Sequence, residues 1–476
     1  MFYPIVSSSD DRRTKGCTPL VLRNCMVEPQ PEGTAKRATY VITPTMGRVS
    51  RVTPSAGALI RGVFSRPGVQ SGVLYAVAGS KVYQISSAWA ATQVGAVDGS
   101  DTVLFDSLGA NVALNAAGSI YQYDGVNFQA ALDADCPANA YTLASLGERL
   151  LTSARYSDTF DWSSVGDGLD WPASGFAASA RMPDEIRKQA VIGGELWHFG
   201  AATAQPWRAV GGDDADAFDI LSVVIDRGIA GREAGAQVDS SFMWVGDDRV
   251  LYMLNGYTPT RIVNREIEQA LAALTEAEFS ALQCFAYMQG SHLTWVLRMP
   301  TGKAFAYDLM TESWSERTTW GASRFAPCYY TYFHAAGKHV VASDESDTIY
   351  SWEPDTFSDA GGAHERIFTL HIPVAQRTIV SSLCLDLVAL DQPLTGTGSA
   401  PVAQVTIYKD GGHWDSLQTH GMERMVSLGV RGQFNLRPML WRLGMVNAAD
   451  GLIVKVRITD PINFAASGVW INENPR

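Results

Sequence analysis

The chain has 476 residues, of which 46% are hydrophobic and only 18% charged, and its formal net charge is −12. A chain of this length can bury about three quarters of its unfolded surface, so core formation is not limiting, and length alone points to about three domains. The acidic balance and the scattered Lys and Arg exclude tight non-specific nucleic-acid binding, which needs clustered cations against phosphates, but an acidic wall lets DNA pass without sticking.

Residues 1–60 carry no repeat and read as an N-terminal arm or platform. The opening run from Met1 to Gly16 has no charged segment followed by a long apolar one, so no signal peptide is expected. No stretch approaches the ~18 apolar residues of a membrane span, and synthesis in a cytoplasm is expected. The six cysteines, Cys17, Cys25, Cys136, Cys284, Cys328 and Cys384, form no C-x-x-C pair. They are expected to be reduced and to act as small hydrophobes rather than as zinc ligands or disulfides. The 43 glycines and 21 prolines imply many turns.

From residue 61 to 358 one unit recurs: a short apolar strand, a Gly- or Asp-containing turn, and a second strand with an aromatic ring. The copies begin at Val73, Val112, Leu150, Leu196, Phe242, Leu293 and Val340. One aromatic from each second strand (Tyr83, Tyr121, Trp162, Trp207, Tyr252, Tyr307, Tyr350) gives steps of 38, 41, 45, 45, 55 and 43 residues. A period near 40–45 with several strands per period is the signature of a β-propeller, here of six or seven blades. The blades would cover one another's faces, with the aromatics packed between them. A single β-sandwich with strands every 8–12 residues is the competing reading. The long step holds a helical insertion at 264–281. Asn264 is placed to cap a helix presenting Ile267, Leu271 and Leu274, and Thr275 to Glu278 forms a capping box for a second.

Asp359 to Ala363 reads as a linker into a C-terminal region, 364–476, with strands at 368–372, 381–387, 403–408 and 452–458. Asp410-Gly411-Gly412 is expected to be a tight hairpin turn. The region is expected to form a small β-sandwich together with the N-terminal arm. The Gly-, Thr- and Pro-rich loop 391–401 is expected to be mobile and is a candidate gating or inter-subunit element. The fold class is therefore all-β: a propeller plus a sandwich-like domain.

Catalytic patterns are scarce. H-E-x-x-H, G-x-x-x-x-G-K-[ST] and G-x-S-x-G are all missing from the sequence. His334 and His339 flank Gly337 at no known ligand spacing and read as turn residues. The run Gly211-Gly212-Asp213-Asp214-Ala215-Asp216-Ala217-Phe218-Asp219 looks like a calcium loop. Counted from Asp214, however, its sixth position is Asp219 rather than Gly and its twelfth is Ile225 rather than Glu. Asp344-Glu345-Ser346-Asp347 reads as a hairpin tip. No catalytic, cofactor-binding or metal residue is assigned, and no cofactor is expected. Paired carboxylates in a central funnel, as in propeller glycosidases, stay open as an alternative, but no pair stands out.

A succession of short stretches resembles one family. These are Arg23-Asn24-Cys25-Met26-Val27-Glu28 with Gly33 and Pro44-Thr45-Met46-Gly47; Arg61-Gly62-Val63-Phe64 leading to Leu74-Tyr75-Ala76-Val77-Ala78-Gly79; Pro183-Asp184 with Gly194-Glu195-Leu196-Trp197-His198-Phe199-Gly200; Asp226-Arg227-Gly228-Ile229-Ala230-Gly231; Arg261-Ile262-Val263 with Ile267-Glu268-Gln269-Ala270-Leu271; and Tyr307-Asp308 with Trp314-Ser315-Glu316-Arg317. In that order they resemble the packaged-DNA stabilisation proteins, or tail hub (nozzle) proteins, of short-tailed, podovirus-type bacteriophages. Pro44-Thr45-Met46-Gly47 departs from the family's adjacent Pro-Gly. The third blade and the C-terminal region match only in pattern. The resemblance implies a non-enzymatic virion tail protein that forms a homo-oligomeric ring, usually a hexamer, below the portal and the head-to-tail adaptor. It also implies that tail fibres or spikes dock nearby, that a needle, plug or gate closes the far end, and that phage genomic DNA crosses the channel during ejection. An excess of Asp and Glu on that channel face is expected. The alternative is a propeller-type carbohydrate-binding protein or glycoside hydrolase.

Overall fold

The computed structural model describes residues 2–4, 21–30, 39–178, 183–212, 214–372, 378–409, 422–431, 439–446 and 451–472. Cys17, Gly33, Asp213 and the turn Asp410-Gly411-Gly412 lie outside the described residues.

Seven four-stranded antiparallel units stand in a ring. Blade one comprises Ile60–Phe64, Leu74–Ala78, Lys81–Ile85 and Ala91–Ala96, and blade two Leu104–Leu108, Asn111–Ala116, Ser119–Tyr123 and Phe128–Ala130. Blade three is built from Ala144–Leu146, Arg149–Thr152, Thr159–Trp162 and Phe176–Ala178, and blade four from Ile186–Ile192, Glu195–Gly200, Ala204–Ala209 and Phe218–Ile220. Blade five holds Gly235–Val238, Ser241–Val245, Leu251–Asn255 and Thr258–Ile262; blade six holds Gln283–Gln289, His292–Arg298, Ala304–Asp308 and Ser313–Glu316. In blade seven, Tyr329–Phe333, Lys338–Ala342 and Ile349–Glu353 are completed by Gly47–Val52, which pairs antiparallel with Ile349–Glu353. The ring is thus closed by a strand some three hundred residues distant in sequence. The blade count, open between six and seven from the sequence, is seven.

The apolar runs follow from this stacking. A strand covered on both faces reads as continuously hydrophobic rather than alternating. In Leu74–Ala78, Tyr75 and Val77 face blade two, whereas Leu74, Ala76 and Ala78 face blade seven. Six apolar clusters lie between neighbouring blades in this way. Fully burying each large side chain contributes about 1.5–3 kcal/mol. Rings interlock across several of these layers: Phe160 of blade three lies 5.0 Å from Trp207 of blade four, and Phe199 of blade four lies 4.7 Å from Phe242 of blade five. Tyr307 and Tyr350 are only half-buried, and Trp295 and Trp352 fill the corresponding layers.

The insertion between blades five and six forms helices Arg265–Ala272 and Glu276–Ser280. The Asn264 side chain accepts from Ile267 N, and Thr275 and Glu278 form the reciprocal capping box. Ile267, Leu271, Leu274 and Phe279 seat the helices on the core shared by blades four, five and six.

The outer strand of blade six continues into a second sheet. Leu22–Arg23 pairs parallel to Ser313–Glu316, followed by Arg366–Ile372, Leu452–Ile458, Val402–Lys409 and Met422–Ser427. An opposing sheet of Cys25–Pro29, Tyr40–Pro44, Asn463–Ile471, Thr378–Leu390 and Met439–Val446, with Phe2–Pro4 beside Asn463–Ile471, encloses a separate apolar core. This is the sandwich, with strands from both ends of the chain. Asn24 marks its joint with the propeller. Asn24 has φ 49°, a left-handed value that Asn tolerates. Its amide donates to Thr318 O at 3.1 Å and Glu365 O at 2.8 Å, and its carbonyl accepts from Thr318 N at 3.1 Å.

Candidate functional site: the axial funnel

The start of blade one, the linkers after blades one, two, four and five, and the second-to-third-strand turns of blades two, three and seven converge on one side of the ring. They enclose an axial cavity of about 710 Å³ whose charged lining is Arg61, Arg155, Arg232, Asp101, Glu233 and Asp344. Its volume is in the range of ordinary ligand sites.

Most of these charges are already engaged. The buried Arg61 donates to the carbonyls of Asp101, Gly79 and Asp98 at 2.7, 2.8 and 2.9 Å, tying blade one to the linker that follows it. Asp344 accepts from Arg298 at 2.8 Å and Arg324 at 3.3 Å. Glu233 lies 3.6 Å from Arg232 and accepts from the Gln283 amide at 3.0 Å. Behind the wall, Lys188 donates to Arg232 O at 3.0 Å, and burial holds its pKa below the usual ammonium value despite Glu233. Arg232 also spans the funnel wall, donating to Thr102 O at 3.2 Å and Tyr141 O at 3.3 Å. The guanidinium carbons of Arg155 and Arg232 sit 5.6 and 5.1 Å from the centroid of the Tyr141 ring.

The loops singled out in the sequence serve the scaffold. Asp214–Asp216 is a short 3₁₀ turn in which Asp214 pairs with the buried Arg149 at 2.7 Å and its carbonyl accepts from Trp162 Nε1. Asp219 pairs with Arg208. In the tip Asp344–Asp347, Glu345 pairs with Arg324 and Asp347 accepts from Gly57 N. His339 meets the Tyr330 hydroxyl at 2.9 Å, and the backbone N–H of His334 donates to Ser65 Oγ. The described cysteines are all free thiols; Cys25, Cys328 and Cys384 are buried. Among the described residues no three His, Cys, Asp or Glu side chains converge as a metal would require. In the loop 391–401, Gly396 and Gly398 have positive φ and Leu394 is exposed.

The residues that carry the sequence resemblance act as joints. Besides Arg61 and Asn24, Asp184 Oδ2 accepts from Ala202 N at 2.7 Å and Thr203 N at 2.8 Å, fixing a turn of blade four. Gly228 lies so close to that turn that a Cβ would stand 2.3 Å from the Ala201 carbonyl. Sequence reasoning did not find Tyr141, Arg155 or Arg232. They come from three different linkers and turns, and no local pattern joins them.

Three comparisons bear on the chain. The sequence model of a phage stabilisation family, described as bacteriophage P22 Gp10, beta-propeller, matches residues 4–356. A search of curated proteins found no match. Among solved structures, BamB from Moraxella catarrhalis is similar at 12% identity over 69% of this chain and 93% of that one, with a TM-score of 0.39.

Proposed function

This chain belongs to the phage stabilisation family described as bacteriophage P22 Gp10, beta-propeller, and we propose on that premise that it is the tail nozzle, or hub, of a short-tailed phage. In this reading it forms a ring, six-fold by family resemblance, below the portal and adaptor, retains packaged DNA, and conducts it during ejection. Tail fibres or spikes dock beside it, and a needle or plug closes its far end. The observation that carries the reading is the family match, which spans the propeller. Two features support it. The colinear motif residues hold blade to blade and propeller to sandwich, as a load-transmitting part requires. The net charge of −12 also suits a wall along which DNA slides rather than binds.

The test is DNA retention. Heads filled and matured without this protein are expected to release their genome to added nuclease, and purified protein is expected to restore protection. Heads that keep nuclease-resistant DNA without it would overturn the reading. The residues facing the lumen of the assembled ring are expected to be net acidic, and a net basic lining would remove the sliding argument.

A further inference from the structure

The joint between propeller and sandwich holds more positive charge than its carboxylates answer. A cavity of about 30 Å³ lies there, and Arg48, Arg317, Thr318, Thr319, Asp359 and His364 are among its lining. Arg48 is paired with Asp359, so these charges cancel. Arg317 is 5% exposed and makes no ion pair among the described residues. It donates to Cys25 O at 3.3 Å and Tyr287 Oη at 3.2 Å, and its other side-chain N–H groups have no protein acceptor there. Arg366, fully buried beside His364, donates to Asp460 O, Phe357 O and His364 Nδ1, and its Nε has no partner. Burial lowers its pKa to about 10, so it stays charged at neutral pH.

The neighbouring groups do not supply the missing negative charge. Glu316 and Glu365, next in sequence to the two arginines, are taken up by Arg23 and Arg457. The Asp460 carboxylate accepts from Val402 N at 2.8 Å. The Cys25 thiol, pushed up to about 12 by burial, is neutral, and so is His364. Arg317 and Arg366 are therefore buried cations without a carboxylate, which a fold tolerates poorly unless something else compensates them. The hydroxyls beside Arg317 are also set to donate. Thr318 Oγ1 accepts from Asn24 Nδ2 at 3.1 Å and Thr319 Oγ1 from Ala326 N at 3.0 Å, which leaves each O–H for another acceptor. Size narrows the ligand. One water needs about 10–15 Å³, so this cavity admits a monatomic anion and is too small for sulfate, phosphate or a carboxylate chain. Water would satisfy the donors but leave the charge.

We propose that this cavity is a chloride site, in which Arg317 and the hydroxyls of Thr318 and Thr319 hold the ion and thereby lock the propeller to the sandwich. The proposal rests on the cavity and does not depend on the nozzle reading. Two measurements on the full-length protein test it. Crystals grown in sodium bromide are expected to show an anomalous bromine peak in the cavity, within hydrogen-bond distance of Arg317. Thermal unfolding is expected to shift upward by about 2 °C or more when sodium gluconate, whose anion is too large to enter, is replaced by sodium chloride at equal ionic strength. Arg317→Met is expected to lose most of that shift, whereas Arg208→Gln, at an exposed pair in blade four, is expected to keep it. Should Arg317→Met fail to fold, Arg317→Lys, which keeps the charge with fewer donors, is expected to retain only part of the shift. A cavity with ordered water and no anomalous signal, a parent that melts alike in the two salts, or a shift undiminished in the folded Arg317 variant would each overturn the proposal.

Discussion

His198 should make the propeller acid-sensitive. It lies in the middle strand pair of blade four, opposite Gln189 on one side and Gln205 on the other. Its ring sits 4.2 Å from Phe160 of blade three and stacks on Trp207 at 5.8 Å. It is 2% exposed, and neither ring nitrogen has a hydrogen-bond partner among the described residues. Burial therefore pushes its pKa from 6.5 down to about 3. The unfolded chain takes up this proton at the ordinary value and the folded chain does not. Stability is unaffected above about pH 6.5, is lost progressively as pH falls toward 3, and changes no further below that. A tenfold difference in proton affinity between the folded and unfolded chains is worth about 1.4 kcal/mol, so the loss between about pH 7.5 and pH 4.5 is on the order of 3 kcal/mol. His198→Phe removes this proton uptake, and His198→Gln does so while keeping a polar group. Denaturant unfolding followed by tryptophan fluorescence at the two pH values should show both variants losing about 3 kcal/mol less than the parent. Acid sensitivity from His364 should remain, because burial and then Arg366, Arg317 and Arg48 hold its pKa well below 6.5. If the parent and both variants lose the same stability over that interval, His198 is not buried as a neutral ring and the reasoning fails.

Three further outcomes follow from the joints. Asn24→Gly keeps the left-handed backbone but removes the bonds to Thr318 and Glu365; it should lower stability by about 2–3 kcal/mol in denaturant titration, and an unchanged midpoint would assign Asn24 to backbone geometry alone. Gly228→Ala forces a Cβ against the Ala201 backbone and should destabilise by about 2 kcal/mol or more, whereas Gly166→Ala, in open space at φ +74, should lose about 1 kcal/mol from backbone strain alone. Thermal scans in which the two glycine variants melt alike would remove the packing argument. Arg61→Met leaves the carbonyls of Gly79, Asp98 and Asp101 without their donor and should destabilise by about 3 kcal/mol; faster hydrogen exchange confined to blades one and two would locate the effect.

Local pattern carried much of the fold. The seven hairpins were legible because each blade is made from contiguous sequence, so its turn chemistry and apolar runs are local signals. The two helix caps were legible for the same reason, Asn264 and Thr275 acting within one turn of themselves. What escaped was pairing between distant segments. No signal at Gly47–Val52 names Ile349–Glu353 as its partner, and nothing at Leu22–Arg23 announces a parallel neighbour in blade six. The aromatic reading was right about layers and incomplete about residues. Tyr307 and Tyr350 fall where a layer is filled by Trp295 and Trp352, and a period of two cannot tell which face of a doubly covered strand is deeper. The funnel was illegible for a related reason, since Tyr141, Arg155 and Arg232 meet only once the ring has closed.

Imaging shows most directly whether this chain forms a ring that joins the portal–adaptor assembly. Electron microscopy of the purified protein, alone and mixed with its portal and adaptor, should show closed rings, six-fold and coaxial with the adaptor, that form in solution or upon it. Single copies that never join the adaptor, and that instead turn over glycans, would rule out a nozzle.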